Sequence, residues 1–454
     1  MTLSLDPTKL SVLLGQEIAL FNTNHPKSRS LYQRARQSLP GGVPMLWMTR
    51  WAGSCPVFVQ EAKGARFIDV DGNSYIDFCL GDTGAMTGHS PDATVRAIQE
   101  QAQKGLTLML PYEDTIWVGE ELQRRFKLPY WQFALTATDA NRFALRMARQ
   151  LTGRPKILVF NYCYHGSVDE TLIALDEEGT PISRPHNIGP QVDPRLTTKV
   201  IEFNDVAALE TVLSARDVAA VLAEPVMTNI GIIHPEAGYH ETLREITRKY
   251  GSYLIIDETH TICTGPGGYT AAFSLEPDFL TLGKPLAAGV PAAVYGFTEE
   301  VSRAFSEQLV IDDADVGGLG GTLAGNALSI AAMKATLQHV LTDEFYVKAI
   351  ELQERFTQGV ESVIKAYDLP WIVKRLGNRS EYWFRSTPPR NGGEAHSAVD
   401  PELDRYMHLF ALNRGILLTP FHNMALISPE ITDADVDYHT GVFRDAVKSL
   451  LGEI

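Results

Sequence analysis

Between Trp131 and Phe297 the chain repeats one rhythm: a short apolar run, a turn, and often a helix-period segment. The apolar runs fall at 132–135, 157–160, 200–203, 219–223, 253–256, 279–282 and 293–297. Helical patterns at 139–152, 205–215 and 236–249 separate several of them. Runs that are apolar throughout, rather than alternating, mark strands buried on both faces. Strands that alternate with helices predict an α/β domain on a mostly parallel sheet, here seven-stranded if every run contributes. The 139–152 segment carries Ala140, Phe143, Ala144, Met147, Ala148 and Leu151 on one stripe, suited to packing on that sheet. Such sheets bind ligands beyond the C-terminal ends of their strands.

The flanking regions read differently. Residues 6–39 are expected to be largely helical, with Leu10, Leu13, Leu14 and Ile18 on one face, until Pro40-Gly41-Gly42 stops the pattern. The segment 43–48 is apolar but too irregular to assign, and Asp71-Gly72 between 67–70 and 75–78 is a hairpin signal. Further helices are expected at 92–105 and 113–126. Long helical stretches follow Thr322, then a strand at 381–385 and a last helix after Thr432, the pattern of a smaller α+β lobe built from both termini. At 454 residues the chain calls for more than one lobe. The expected division is an N-terminal segment 1–62 joining the small domain, a large domain 63–325 and a C-terminal small domain 326–454.

A net charge of -15 excludes nucleic acid as a natural partner, since phosphate backbones call for a basic surface. Cys55, Cys79, Cys163 and Cys263 are scattered without metal-ligand spacing, which predicts free thiols in a reducing compartment and no metal site. The N-terminus lacks a basic leader region and no apolar run is long enough for a bilayer, so a cytoplasmic protein without membrane partners is expected.

Two strand ends carry the chemistry. The run 254–256 delivers Asp257-Glu258, and the run 279–282 delivers Gly283-Lys284. A lysine at a buried strand end can become an amine nucleophile. A carboxylate beside it can keep a pyridinium nitrogen protonated, as pyridoxal phosphate chemistry requires. By themselves the two residues equally suit a surface lysine and a turn cap. Thr136-Ala137-Thr138-Asp139 opens the 139–152 helix, where free N–H groups and the helix dipole favour a phosphate. An ordinary N-cap by Thr138 or Asp139 explains the same residues. Tyr164, before His165-Gly166, could stack on a flat ring or belong to an aromatic cluster. Glu224 at another strand end could orient a cofactor or form a salt bridge. Gly317-Gly318-Leu319-Gly320-Gly321-Thr322 suits phosphate contact, a lid or a plain connection. It is their order along the chain that is hard to ascribe to chance.

With these residues in place, the sequence resembles the class III, fold-type I, pyridoxal-phosphate-dependent aminotransferases, and within them the glutamate-1-semialdehyde aminomutase-like branch. The resemblance is carried by Leu39-Pro40-Gly41-Gly42-Val43, Asp69-Val70-Asp71-Gly72-Asn73, Tyr75-Ile76-Asp77-Phe78, Thr136 to Ala140 and Tyr164-His165-Gly166. It continues through Glu224-Pro225-Val226, Asp257-Glu258, Thr281-Leu282-Gly283-Lys284, Gly321-Thr322 and Gly325-Asn326. It implies that Lys284 carries the cofactor and shuttles the proton, and that Asp257 pairs with the pyridine nitrogen. It also implies that Ala137 and Thr138, beside Thr136, hold the phosphate, with His165 and Glu224 near the cofactor. Tyr164 would cover one ring face and Thr259 the other. Thr322 would reach a neighbouring subunit's phosphate, which implies a homodimer.

Three positions depart from the family pattern. Ser-Gly-Thr-Glu reads Thr136-Ala137-Thr138-Asp139, and Val-Met after the acidic pair reads Thr259-His260, which brings a titratable group close. Where related enzymes often carry an arginine for a substrate carboxylate, this chain has Val43-Pro44-Met45-Leu46-Trp47-Met48, with Arg50 later. Arg50, Arg385 and Arg414 remain alternatives for that task. The expected activity is ping-pong amino transfer between an amine or amino acid, bulky or β-amino, and a keto acid or aldehyde. An aminomutase, racemase or β-eliminating lyase shares the scaffold, and a catalytically silent binding module is the rival from outside enzymes.

Overall fold

Most of the apolar runs become strands because both of their faces are covered. In a computed structural model, which describes residues 7–189, 192–308, 316–420 and 422–453, the chain divides into two compact units. One comprises Asp92–Tyr346 and Pro389–Ser397; the other comprises the N-terminal part to Pro91, Val347–Pro388 and the C-terminal part from Ala398.

The second of these opens with helices Pro7–Asn24 and Pro26–Ala35 and the strands β1 (Val59–Lys63), β2 (Arg66–Asp69) and β3 (Ser74–Asp77). The hairpin signal at Asp71-Gly72 is met by β2 and β3, which pair antiparallel with Phe67 opposite Tyr75. Asp69 stabilises the turn by accepting from the N–H groups of Asp71 and Asn73, at 2.9 and 2.8 Å.

The larger unit holds β4 (Tyr130–Ala134), β5 (Lys156–Phe160), a small hairpin of β6 (Ile173–Leu175) and β7 (Pro181–Ser183), then β8 (Thr198–Ile201), β9 (Val218–Ala223), β10 (Tyr253–Asp257), β11 (Phe279–Leu282) and β12 (Ala293–Phe297). Seven of them form one sheet in the order β4-β12-β11-β10-β9-β5-β8. All are parallel except β12, which runs antiparallel to both of its neighbours. Each of the seven expected runs supplies one strand, and β9, β11 and β12 are buried from end to end. The Ala137–Thr152 helix lays the expected stripe on this sheet: Ala140, Phe143, Ala144, Met147 and Ala148 are buried and Leu151 packs beside them. This is the expected α/β architecture on a mostly parallel, seven-stranded sheet.

The smaller unit is completed by β13 (Ile372–Leu376), β14 (Arg379–Trp383), β15 (Ile416–Leu417) and β16 (Met424–Leu426), and by the helix Asp433–Leu451. Thr432 begins that helix with a capping box, its hydroxyl accepting from Asp435 N while the Asp435 carboxylate receives the Thr432 N–H. The expected strand at 381–385 appears two residues earlier, as β14.

Candidate active site

Within the larger unit, β10 and β11 run parallel with Asp257 opposite Thr281, three residues before Lys284. Two residues far apart in sequence thus reach one sheet edge. Lys284 opens a 3-10 turn with φ of 24°, a backbone conformation that L-residues seldom adopt and that costs on the order of 1–3 kcal/mol. Its Nζ meets His260 Nε2 at 2.8 Å.

Asp257 is 3% exposed and is held on both oxygens. Oδ2 receives Asn141 Nδ2 and His165 Nδ1, each at 2.9 Å, and Oδ1 receives the Thr259 N–H at 3.0 Å. Asn141 is itself fixed, since its Oδ1 accepts from Thr281 Oγ1 at 2.7 Å. Burial opposes charge on Asp257, but the hydrogen bond and charge of His165, with the other donors, hold its carboxyl below the usual range. For His165 burial again works against charge; the neighbouring Cys163 and Asp257 outweigh it and raise the imidazole. The result is a buried ion pair at the end of β10.

Glu224, directly after β9, is as deeply buried but has one side-chain donor, Thr228 Oγ1. Burial pushes its carboxyl up to about 7, and its Oε1 has no hydrogen-bond partner among the described residues. The Thr259 hydroxyl is also buried without a partner among them.

The turn after β4 is decided by Thr136. Thr136 Oγ1 accepts from Asp139 N at 3.2 Å, so Thr136 is the N-cap, in place of the Thr138 or Asp139 cap that the sequence suggested. That leaves Thr138 in the first turn, where its hydroxyl receives the Ser167 N–H at 3.1 Å. Gly166, with φ of 79°, closes this corner: a Cβ there would stand 2.9 Å from Thr138 Cα and would strike Thr138 Oγ1. A Cβ on Gly283 would come within 3.0–3.5 Å of Ala137, so the segment leading to Lys284 lies against the helix start.

Lys284, Asp257, His165, Thr259, Thr138, Ala137 and Thr136 therefore gather at one sheet edge. Tyr164 is 42% exposed beside them. Thr322 is exposed on a loop that shares a surface cavity with Thr107–Tyr112 residues such as Leu108 and Met109. Arg414 is engaged elsewhere, donating to Glu17 from both terminal nitrogens at 3.1 Å with its guanidinium over Phe410. Arg385 donates to Thr387 at 3.2 Å, and Arg50 ends an exposed 3-10 turn, Leu46–Arg50. Sequence reasoning missed Asn141 and Thr281. Asn141 left a signal, a polar residue inside the apolar stripe of its helix.

The family model for class III aminotransferases ("Aminotransferase class-III") matches residues 47–447. The chain belongs to the class III aminotransferases. A glutamate-1-semialdehyde 2,1-aminomutase of Desulfitobacterium hafniense is 33% identical over 434 residues, 93% of this class III aminotransferase and 98% of the relative. Among solved structures, a glutamate-1-semialdehyde aminomutase from Pseudomonas aeruginosa superposes with a TM-score of 0.96 at 47% identity, covering 98% of this chain and 99% of the other. An omega-transaminase from Sphaerobacter thermophilus gives 0.85 at 28% identity, over 94% and 98%. A lysine-to-alanine variant of the Pseudomonas enzyme was solved in complex with PMP. The cofactor of this class III aminotransferase is pyridoxal 5'-phosphate. The residues fit it: an amine at Lys284, an ionised carboxylate at Asp257, an open first helical turn at Ala137 and Thr138, and a side-chain-free corner at Gly166. Among the described residues no His, Cys, Asp or Glu cluster could hold a metal, and no helix is long and apolar enough to cross a membrane.

Proposed function

We propose that the protein moves amino groups on small amino compounds, with Lys284 as the residue that takes and returns the proton at the substrate carbon. The observation that carries this reading is the Asp257 carboxylate, held ionised beside the strand that delivers Lys284. Pyridoxal phosphate supplies the electron sink that makes that proton removable. Asp257 would keep a positive charge on the ring nitrogen of the bound cofactor, and the His165–Asn141–Thr259 donors keep Asp257 ionised. The N–H groups of Ala137 and Thr138 at the helix start hold the phosphate, with Thr136 closing the helix end behind them. Tyr164 and Thr259 would flank the bound ring, and Glu224 would serve the site from the end of β9. Thr322, with the exposed Leu108 and Met109 nearby, is offered to a second copy of the chain, so the working form is a homodimer.

For the reaction itself, a shift of the amino group within one molecule is favoured by the names of the relatives, aminomutases over nearly their whole length. Transfer between two molecules, from a bulkier or β-amino donor, is favoured by the run Val43–Met48, where Met45, Leu46 and Trp47 are exposed and no arginine stands. The test is to supply glutamate-1-semialdehyde alone, then a panel of amines with and without a keto acceptor, while following the visible band of the lysine-bound cofactor. Turnover of the semialdehyde alone selects the internal shift. Bleaching by an amine that reverses only with an acceptor selects transfer between molecules. A protein that shows neither, or keeps the band in Lys284→Ala, would overturn the reading.

A further inference from the structure

We propose that His260 is the proton partner of Lys284: it takes the proton from the lysine nitrogen when that nitrogen must act as a free amine, and returns it afterwards. This rests on the reading of Lys284 given above. His260 lies three residues beyond β10 and Lys284 two beyond β11, and the parallel pairing of these strands sets the two side chains at one edge. Their nitrogens are 2.8 Å apart, and both residues are partly buried, so the contact is shielded without being sealed from the substrate side.

A neutral imidazole with its proton on Nδ1 turns the Nε2 lone pair toward the lysine ammonium. The step is then a proton shift alone. An Nζ–H bond breaks, an Nε2–H bond forms, the positive charge passes from lysine to imidazole, and nothing else is consumed. The carboxylates at this edge are engaged with other groups. Asp257 faces His165 and Asn141. The Glu258 carboxylate is enclosed by the Thr261 hydroxyl and the N–H groups of Tyr269 and Thr270. Glu224 is held by Thr228. Histidine is the side chain whose charge changes most readily near neutrality, and a positioned general base contributes roughly 10²–10⁴-fold. A thioether or aliphatic side chain at position 260 could not take a proton from lysine.

The test uses apoenzyme mixed rapidly with pyridoxal phosphate, with capture by Lys284 followed as growth of the visible band. His260→Ala is expected to slow capture by about 10²–10⁴-fold, to reach the wild-type final amplitude, and to recover rate when imidazole is added. His260→Gln, which keeps a hydrogen-bond acceptor but cannot take a proton, is expected to stay slow. Capture at the wild-type rate in His260→Gln, or no effect of imidazole on His260→Ala, would overturn the proposal. A wild-type protein that forms no band, or a band that survives in Lys284→Ala, would strike the assignment of Lys284 itself and leave that outcome distinct.

Discussion

Asp257 and Glu224 stand at equivalent points of neighbouring strands, since β10 and β9 pair with Ile256 opposite Ala223. They are 3% and 4% exposed. Burial raises the cost of charging both, yet they move in opposite directions: Asp257 below its ordinary range, Glu224 up to about 7. The difference is the number of donors. Asp257 receives Asn141, Thr259 N–H and an imidazole that can itself carry charge; Glu224 receives only the hydroxyl and N–H of Thr228 and leaves Oε1 bare. Burial alone does not decide whether a carboxylate is an anion. The groups that point at it do.

The largest effect is expected from erasing the charged member. Asp257→Asn should lower kcat by about 10²–10³-fold, the range for losing one preorganised electrostatic group. It should also cost about 3–5 kcal/mol of stability, because the raised His165 loses its counter-charge in a buried setting. Steady-state rates and urea unfolding read the two losses separately. Wild-type activity in Asp257→Asn would break the comparison outright.

Next is the pH dependence of the pair. His165 is raised, so its contribution is complete below its ordinary 6.5 and is lost as pH rises through the folded value. Asp257 is lowered, so its contribution is complete above 3.8 and is lost as pH falls through the folded value. Stability owed to this pair should therefore be flat between about pH 4 and 6.5 and should decline on both sides; denaturant midpoints in wild type and His165→Asn, measured across this span, isolate it.

Glu224 should behave in the opposite sense. Its raised carboxyl stabilises the fold while protonated and loses that contribution as pH rises from 4.5 through about 7. Glu224→Gln cannot titrate, so between pH 5 and 8 wild type should lose about 1–3 kcal/mol relative to this variant. A parallel pair of stability curves would show that Glu224 is charged throughout. The smallest change is Thr259→Val, which removes a buried hydroxyl without a partner among the described residues and should shift stability by less than about 1 kcal/mol. A marked drop in cofactor affinity in this variant would then assign the hydroxyl to the ring face.

What could be read from the chain before folding was the local and repetitive part. Each apolar run became a strand, all but the edge strand β4 because burial on two faces needs only a short continuous stretch, and the 139–152 stripe became a sheet-packing helix because its period is written residue by residue. The Asp257 and Lys284 positions were legible for the same reason, as polar residues ending apolar runs. Their surroundings were not. Asn141 and His165 reach Asp257 across 116 and 92 residues, and Lys284 meets His260 only because β10 and β11 pair in parallel register. The cap at Thr136 turned on which hydroxyl faced Asp139 N, and Arg414 was removed from the candidates by Glu17, 397 residues away in sequence. Local pattern determines which segments are buried and where a polar side chain interrupts them. Which donor then meets which acceptor, and so which group is charged, is decided by contacts between segments that the sequence keeps far apart.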